Sequence, residues 1–121
     1  MSVYVDDMDV DYRRMKMSHL MADTTEELLA MVDMIDVQRK WIQYPGTPRE
    51  HFDICMSKKN EALERGAIQV TWREIGIWEI FRVRWWPLHI TYVEAQKRYA
   101  AENHSLVERA KARPGLLNGV D

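Results

Sequence analysis

The stretch "KMSHLMADTTEELLAM", residues 16–31, indicates the class of fold. Residues 16–23 predict a strand of about seven residues that leads directly into a helix. The helix has a clear start, because Thr24-Thr25-Glu26-Glu27 is a capping box in which a threonine side chain and a glutamate satisfy free backbone N–H groups. Apolar residues then recur at helical spacing, at Leu28, Met31, Val32 and Ile35.

The same alternation of strand and helix patterns continues on both sides of this stretch. Apolar and β-branched runs predict strands over residues 2–6, 38–44 and 51–55, whereas the polar residues 7–14 are predicted as a loop. Three more helices have recognisable ends: residues 58–65, between Ser57 and Gly66; residues 72 to about 81, opened by the capping box Thr71-x-x-Glu74; and residues 92 to about 113, opened by Thr91-x-x-Glu94 and ended by Pro114. The sequence therefore predicts a small single α/β domain with a short, partly parallel sheet flanked by helices, plus an appended C-terminal helix.

Composition limits the classes of function. The 121 residues carry 17 basic and 19 acidic side chains, and a net charge of −2 gives no indication of nucleic-acid or membrane binding. The lone cysteine excludes an internal disulfide and a multi-cysteine zinc site. The N-terminus "MSVYVDDM" lacks the basic and apolar regions of a signal peptide, and no apolar run is long enough to span a bilayer. We therefore expect a cytoplasmic protein.

Several motifs that occur in order resemble a known family. They are "VYVDDM", "SHLMADT", "EELLAM", "KWIQY", "GTPREHFDIC" and "ALERGAIQVT". The chain resembles domain-of-unknown-function family 4031, a small bacterial and phage family, over about residues 1–80. The defining residues here are Asp6-Asp7, His19 with Asp23, and His51-x-Asp53, while Asp36 stands where a glycine is expected after the first helix. The resemblance implies membership of this family but no particular activity. Residues 81–121, a Trp/Arg-rich segment and the C-terminal helix, lie outside it and are expected to pack on the same domain.

The carboxylate and imidazole groups of these motifs share faces of the predicted elements. If residues 51–55 form a strand, its period of two puts His51 and Asp53 on one face. His19 and Asp23 share a face whether their segment is a strand or a helix. Asp6 and Asp7 point to opposite sides of a strand, so only one of them would enter a common site unless the strand ends there. Each of the three segments offers such groups near the end of an element, and open α/β sheets bind ligands outside the carboxyl ends of their strands.

A mixed set of Asp and His side chains without a thiolate suits Mg²⁺, Mn²⁺ or Zn²⁺. Our leading hypothesis is a metal-assisted or His/Asp-assisted hydrolase that acts on a phosphoester or nucleotide. The proposed metal ligands are Asp6, Asp7, His51 and Asp53, and the proposed catalytic residues are His51, Asp53, His19 and Asp23. The alternative is structural: Asp23 as a charge at a helix N-terminus, His51 in a loop contact and Asp7 in a turn.

The segment "FRVRWWPLHITY", residues 81–92, supports a competing hypothesis. As a strand it would place Arg82 and Arg84 on one face, opposite Trp85. With Trp86 these side chains would bind an anionic, nucleotide-like ligand, because arginine binds phosphate and aromatic rings stack on bases. The protein would then be a non-catalytic binding module or a phage-type interaction protein. Trp and Arg are also favoured at interfaces, so the alternative for this segment is a homodimer contact or a surface for a protein partner. We favour this interface interpretation over the ligand pocket.

Overall fold

The structure, a computed structural model, describes residues 2–111, with side chains through His104. The described residues form five strands and four α-helices, which confirms the prediction of a small α/β domain. The strands are β1 (Val3–Val5), β2 (Val10–Tyr12), β3 (Met15–Ala22), β4 (Phe52–Cys55) and β5 (Ile68–Gln69). The α-helices are α1 (Thr25–Met34), α2 (Met56–Glu64), α3 (Trp72–Trp85) and α4 (Tyr92–Lys111), and a short 3₁₀ helix spans Arg39–Trp41.

The long strand β3 organises the sheet. β2 pairs with its first residues, β1 pairs with its last residues, and β4 pairs with Met17–Leu20, all antiparallel. In this register His19 lies directly opposite Asp53. β5 pairs with β1 in parallel, so the sheet is partly parallel as predicted.

The two faces of the sheet carry two separate cores, because side chains alternate along each strand. Leu20 and Phe52 belong to the first core, which α1 and α2 cover. Tyr4 and Met21 belong to the second core, where Trp78 of α3 is fully buried and its indole Nε1–H donates to the carbonyl of Ile90 at 2.9 Å. His19 is two residues from Met21, so it lies on the face that α3 covers.

The predicted helix starts are correct at α1 and α3. The backbone N–H of Glu27 donates to the Thr24 hydroxyl at 3.2 Å, and Thr71 and Glu74 form a complete capping box. α1 is followed by Asp36 in the left-handed conformation, with φ of 58°. Aspartate tolerates this conformation better than most residues, which explains how it replaces the glycine expected there.

Three local predictions were wrong. Residues 7–14 include β2 and a tight hairpin into β3 rather than only a loop, and Arg13 and Arg14 both adopt positive φ in its turn. Residues 38–44 contain the 3₁₀ helix rather than a strand, and only Gln43 forms an isolated bridge, to His51. α2 begins one residue before Ser57, with Cys55 at its N-cap position.

The segment 81–92 does not form a strand. α3 continues through Trp85, beyond the predicted end at Phe81, and the chain then turns before α4. The end of α4 predicted near Arg113 and Pro114, with the tail after it, lies outside the described residues. Within residues 2–111, no helix has both the length and the apolar character needed to cross a membrane.

Candidate metal centre

Two histidines and one aspartate converge beside β3 and β4. The Oδ1 atom of Asp53 lies 3.7 Å from Nε2 of His19, its cross-strand partner, and 3.4 Å from Nε2 of His51. His51 is two residues before Asp53, so the period of the extended chain turns both side chains to the same face. One potential ligand atom from each of the three residues lies within 4.8 Å of the others, and we call this set the metal cluster.

The fully buried carboxylate of Asp6 orients His19. Its Oδ2 lies 2.6 Å from His19 Nδ1, while its Oδ1 accepts the backbone N–H groups of His19 at 3.0 Å and of Met8 at 3.2 Å. An ionised carboxylate can only accept, so Nδ1 must carry the proton of this hydrogen bond. Nε2, the other ring nitrogen, is therefore the one directed at Asp53. A carboxylate behind a histidine in this way is a common support for a metal ligand.

A backbone carbonyl orients His51 in the same manner. His51 Nδ1 lies 2.6 Å from the carbonyl oxygen of Arg49, and a carbonyl also only accepts, so Nδ1–H donates here too. The ring of Tyr44 stacks on His51, with centroids 6.0 Å apart, and the two imidazoles meet edge to face at 5.1 Å. Both histidines therefore present Nε2 to a common point.

The electrostatics of the cluster favour positive charge next to Asp53. The hydrogen bond to Asp6 raises the pKa of His19 against the opposing effect of burial, and the charges of Asp6, Asp53 and Glu79 raise it further. The hydrogen bond from His51, and the charges of both imidazoles, lower the pKa of Asp53. The cluster therefore favours a positive charge beside Asp53, and a divalent cation bound at the Nε2 atoms would supply one.

The donor atoms match a recognised class of metal site. Two imidazole nitrogens and one carboxylate oxygen bind Zn²⁺ in catalytic sites and leave further positions open for water or substrate. Magnesium prefers all-oxygen surroundings, so the two nitrogens favour Zn²⁺, with Mn²⁺ as the second choice. The exposures are also appropriate: Asp6 is buried beneath the cluster, whereas 43% of the Asp53 side chain is open to solvent.

A cleft of about 760 Å³ opens beside the metal cluster. His19 and Asp53 form part of its wall, and the β2–β3 hairpin and the 3₁₀ helix form most of the rest. The other side chains include Tyr12, Arg13, Met15, Met17 and Trp41. A ligand in this cleft would reach the cluster from the solvent side.

The structure brings four of the six predicted Asp and His residues together. His19, His51 and Asp53 form the cluster, and Asp6 supports it. Asp7 does not join them: its Oδ1 accepts the backbone N–H of Trp72 at 2.8 Å, at the start of α3. Asp23 is buried elsewhere, where it accepts the N–H groups of Ser2 at 2.8 Å and Tyr92 at 2.9 Å.

The predicted placement of Arg82 and Arg84 on one face is wrong, because the segment is helical rather than extended and residues two positions apart do not face each other on a helix. Arg82 is buried, with its guanidinium over the rings of Trp78 and Trp86. Arg84 is exposed and pairs with Glu102 at 3.1 Å. Trp85 stacks instead under Arg98, with 4.4 Å between the guanidinium and the ring centroid. The dimer contact expected of this segment stays a prediction.

The fold is that of a small α/β protein in which two histidines and one aspartate converge beside β3 and β4. The family described as "Protein of unknown function (DUF4031)" matches residues 3–80. The chain belongs to this family, and the matched region contains Asp6 and the whole metal cluster. No curated protein and no solved structure matches the chain.

Proposed function

We propose that the protein is a metal-dependent hydrolase of phosphoesters, with Zn²⁺ bound by His19, His51 and Asp53. The observation that carries this proposal is the approach of three suitable ligand atoms to within 4.8 Å of one another. Both imidazoles are oriented through Nδ1, so each offers Nε2 to the metal without a change of tautomer. This orientation through Nδ1 is typical of histidines that bind a metal.

The bound ion would supply the chemistry that these side chains lack. Zn²⁺ lowers the pKa of a bound water to about 7 and polarises a phosphoryl oxygen, which suits hydrolysis near neutral pH. The residues of the chain have supporting tasks. Asp6 fixes the tautomer of His19, the carbonyl of Arg49 fixes that of His51, and the partly exposed Asp53 leaves the cluster open to the cleft.

Metal binding is the first test. We would titrate the metal-free full chain with Zn²⁺, Mn²⁺ and Mg²⁺ by calorimetry and record thermal unfolding with and without each ion. A ligand that binds only the native state stabilises it by about 2.7 kcal/mol at 100 times its Kd. We expect Zn²⁺ to give the largest shift and Mg²⁺ the smallest.

Matched variants locate the site. His51→Ala and Asp53→Asn should lose the Zn²⁺ shift, whereas His89→Ala and Asp11→Asn, which alter an exposed histidine and an exposed carboxylate outside the cluster, should keep it. An equal shift in all four variants, or none in the parent chain, would exclude the proposed centre.

Turnover is the second test. We expect hydrolysis of p-nitrophenyl phosphate or bis(p-nitrophenyl) phosphate to stop in EDTA, to return with Zn²⁺ and to be lost in Asp53→Asn. If Zn²⁺ binds at the cluster but neither ester nor any natural phosphoester is hydrolysed, the protein is a binding module and the hydrolase proposal is wrong.

A further inference from the structure

The cleft beside the metal cluster carries two unusually exposed aromatic rings. Trp41 is 60% exposed and Tyr12 is 54% exposed, and neither belongs to a core cluster. Both line the same cleft as His19 and Asp53. Planar heteroaromatic bases stack on such rings whatever their sequence, because every base has a π face. The cleft therefore offers an apolar, flat surface next to a site for phosphoryl chemistry.

Each ring is accompanied by a cation. The Arg13 guanidinium lies 5.3 Å from the centroid of the Tyr12 ring, and the Lys40 ammonium lies 5.1 Å from that of Trp41. Neither cation forms an ion pair with another residue in the described part of the chain. Arg13 itself lines the cleft, and arginine is particularly suited to phosphate; Lys40 lies beside the cleft, over the ring of Trp41.

The size and charge of the surroundings favour a small ligand over a polymer. A volume of about 760 Å³ lies within the range of about 300–1,000 Å³ typical of small-molecule sites. Single-strand binding requires a basic groove along the backbone, whereas this chain has a net charge of −2 and Asp11 also lines the cleft. A strand adds one phosphate with every nucleotide, so two cations match a single nucleotide better than a strand.

We propose, resting on the hydrolase function above, that the substrate is a free nucleoside phosphate. Its base stacks on Trp41 and Tyr12, its phosphate is directed to the metal cluster, and Arg13 and Lys40 offset its negative charge. Base identity does not enter this assignment, because ring stacking tolerates all bases. The nucleotide would thus be recognised by residues of the β2–β3 hairpin and the 3₁₀ helix rather than by the Trp/Arg-rich segment.

The test distinguishes the contribution of the base to ligand affinity from that of the phosphate. We would measure Kd of the Zn²⁺-loaded full chain for the methylene-phosphonate analogues of adenosine 5′-monophosphate and ribose 5-phosphate, which cannot be hydrolysed. The nucleotide analogue should bind at least tenfold more tightly. Trp41→Ala should remove about tenfold of its affinity, equivalent to about 1.4 kcal/mol, while Trp41→Phe should restore most of it.

Trp72 provides a matched control. It is also an exposed tryptophan, at 51%, and it also has a cation over its ring, that of Arg73 at 5.5 Å, but it lies at the start of α3 outside the cleft. Trp72→Ala should leave both affinities unchanged. The ribose analogue should bind Trp41→Ala and the parent chain equally, because it has no base to stack.

The two proposals fail in distinguishable ways. Equal affinity for the two analogues, or no effect of Trp41→Ala, would overturn the nucleotide assignment even if Zn²⁺ binding and hydrolysis of a simple phosphoester are intact. A tetranucleotide that binds more than tenfold tighter than the mononucleotide analogue would also overturn it, in favour of a strand. Absence of Zn²⁺ binding would remove the hydrolase proposal and this assignment together.

Discussion

The buried carboxylate of Asp6 contacts His19 twice, at the imidazole Nδ1 at 2.6 Å and at the backbone N–H at 3.0 Å. One contact sets the proton of the ring and the other fixes the main chain from which the ring extends. Asp6 therefore controls both the position of a metal ligand and the lone pair that it offers. Its complete burial strengthens this control, because water cannot compete for the carboxylate.

Asp6→Asn should lower Zn²⁺ affinity by about 10–100-fold, the usual effect of losing a residue that orients a metal ligand. The amide can still accept the two backbone N–H groups, but its NH₂ would face His19 Nδ1 and move the ring proton to Nε2, where it blocks the metal. Calorimetry would measure the affinity, and circular dichroism would confirm the fold. Unchanged Zn²⁺ affinity in a folded variant would contradict the orienting role.

Asp7→Ala should lower the stability of the fold and leave Zn²⁺ affinity unchanged. The Asp7 carboxylate accepts the first N–H of α3, and loss of such a cap costs about 1 kcal/mol. We expect urea unfolding to show this loss, and Zn²⁺ affinity to equal that of the parent chain. A drop in Zn²⁺ affinity of tenfold or more would return Asp7 to the list of metal ligands.

Asp9→Asn should reduce stability in a pH-dependent way. The Asp9 carboxylate accepts from the hydroxyl of Ser18 and the ammonium of Lys59, and these contacts lower the pKa of Asp9 below its usual range. A carboxyl with a lowered pKa in the folded state stabilises it above the pKa of the unfolded chain, about 4, and this contribution is lost as the pH falls through the lower folded-state pKa.

The expected size at pH 7 is about 2 kcal/mol. This is less than the 3–5 kcal/mol typical of a broken buried pair, because Asp9 is about one-third exposed although Lys59 is almost fully buried. The free energies of unfolding of the parent and Asp9→Asn, measured in urea, should converge as the pH falls below about 4. Asp11→Asn, which removes only an exposed carboxylate, is the control and should change little. A difference that stays constant from pH 7 to pH 3 would show that the charge of Asp9 is not responsible.

Arg82→Met should leave the protein equally stable or increase its free energy of unfolding by about 1 kcal/mol. Arg82 is 3% exposed, its Nη1 has no hydrogen-bond partner among the described residues, and burial lowers its pKa despite nearby acidic groups. Methionine would replace the packing of the aliphatic part of the Arg82 side chain without burying a charge. Thermal and urea unfolding would report the change, with the exposed Arg84→Met as the control. A loss above about 2 kcal/mol would mean that the surrounding acids Asp23, Glu50 and Glu79 need the positive charge.

Much of the fold follows from local sequence signals. Capping residues located the starts of α1 and α3, and alternation identified β4 with its two faces, so His51 and Asp53 were correctly placed together. The β2–β3 hairpin was missed because its turn uses Arg13 and Arg14 at positive φ, where Asn-Gly or Asp-Gly is the usual signal. All three residues of β2 are exposed, so no burial pattern marks the strand either.

The features that local signals did not predict depend on contacts between residues far apart in the sequence. The sequence allowed only one of Asp6 and Asp7 in the site, but the choice depends on where β1 ends and on the register of β3. The run after Phe81 alternates in sequence as a strand does, yet α3 continues because Ile75, Trp78, Phe81 and Arg82 form one buried stripe at helical spacing. Trp41 and Tyr12 had no signal that linked them to the site, since their elements were assigned incorrectly.

His19 and Asp53 are paired across β3 and β4, so the geometry of the metal cluster depends on the register of these two strands. Side chains alternate every residue, so a slip of one position would carry one of the two to the opposite face and separate the donor atoms. Zn²⁺ would then bind only chains in the native register and would stabilise that register relative to shifted ones. Because the donors lie up to 34 positions apart (19 to 53) in the sequence, the ion would in effect join the first hairpin to the middle of the chain.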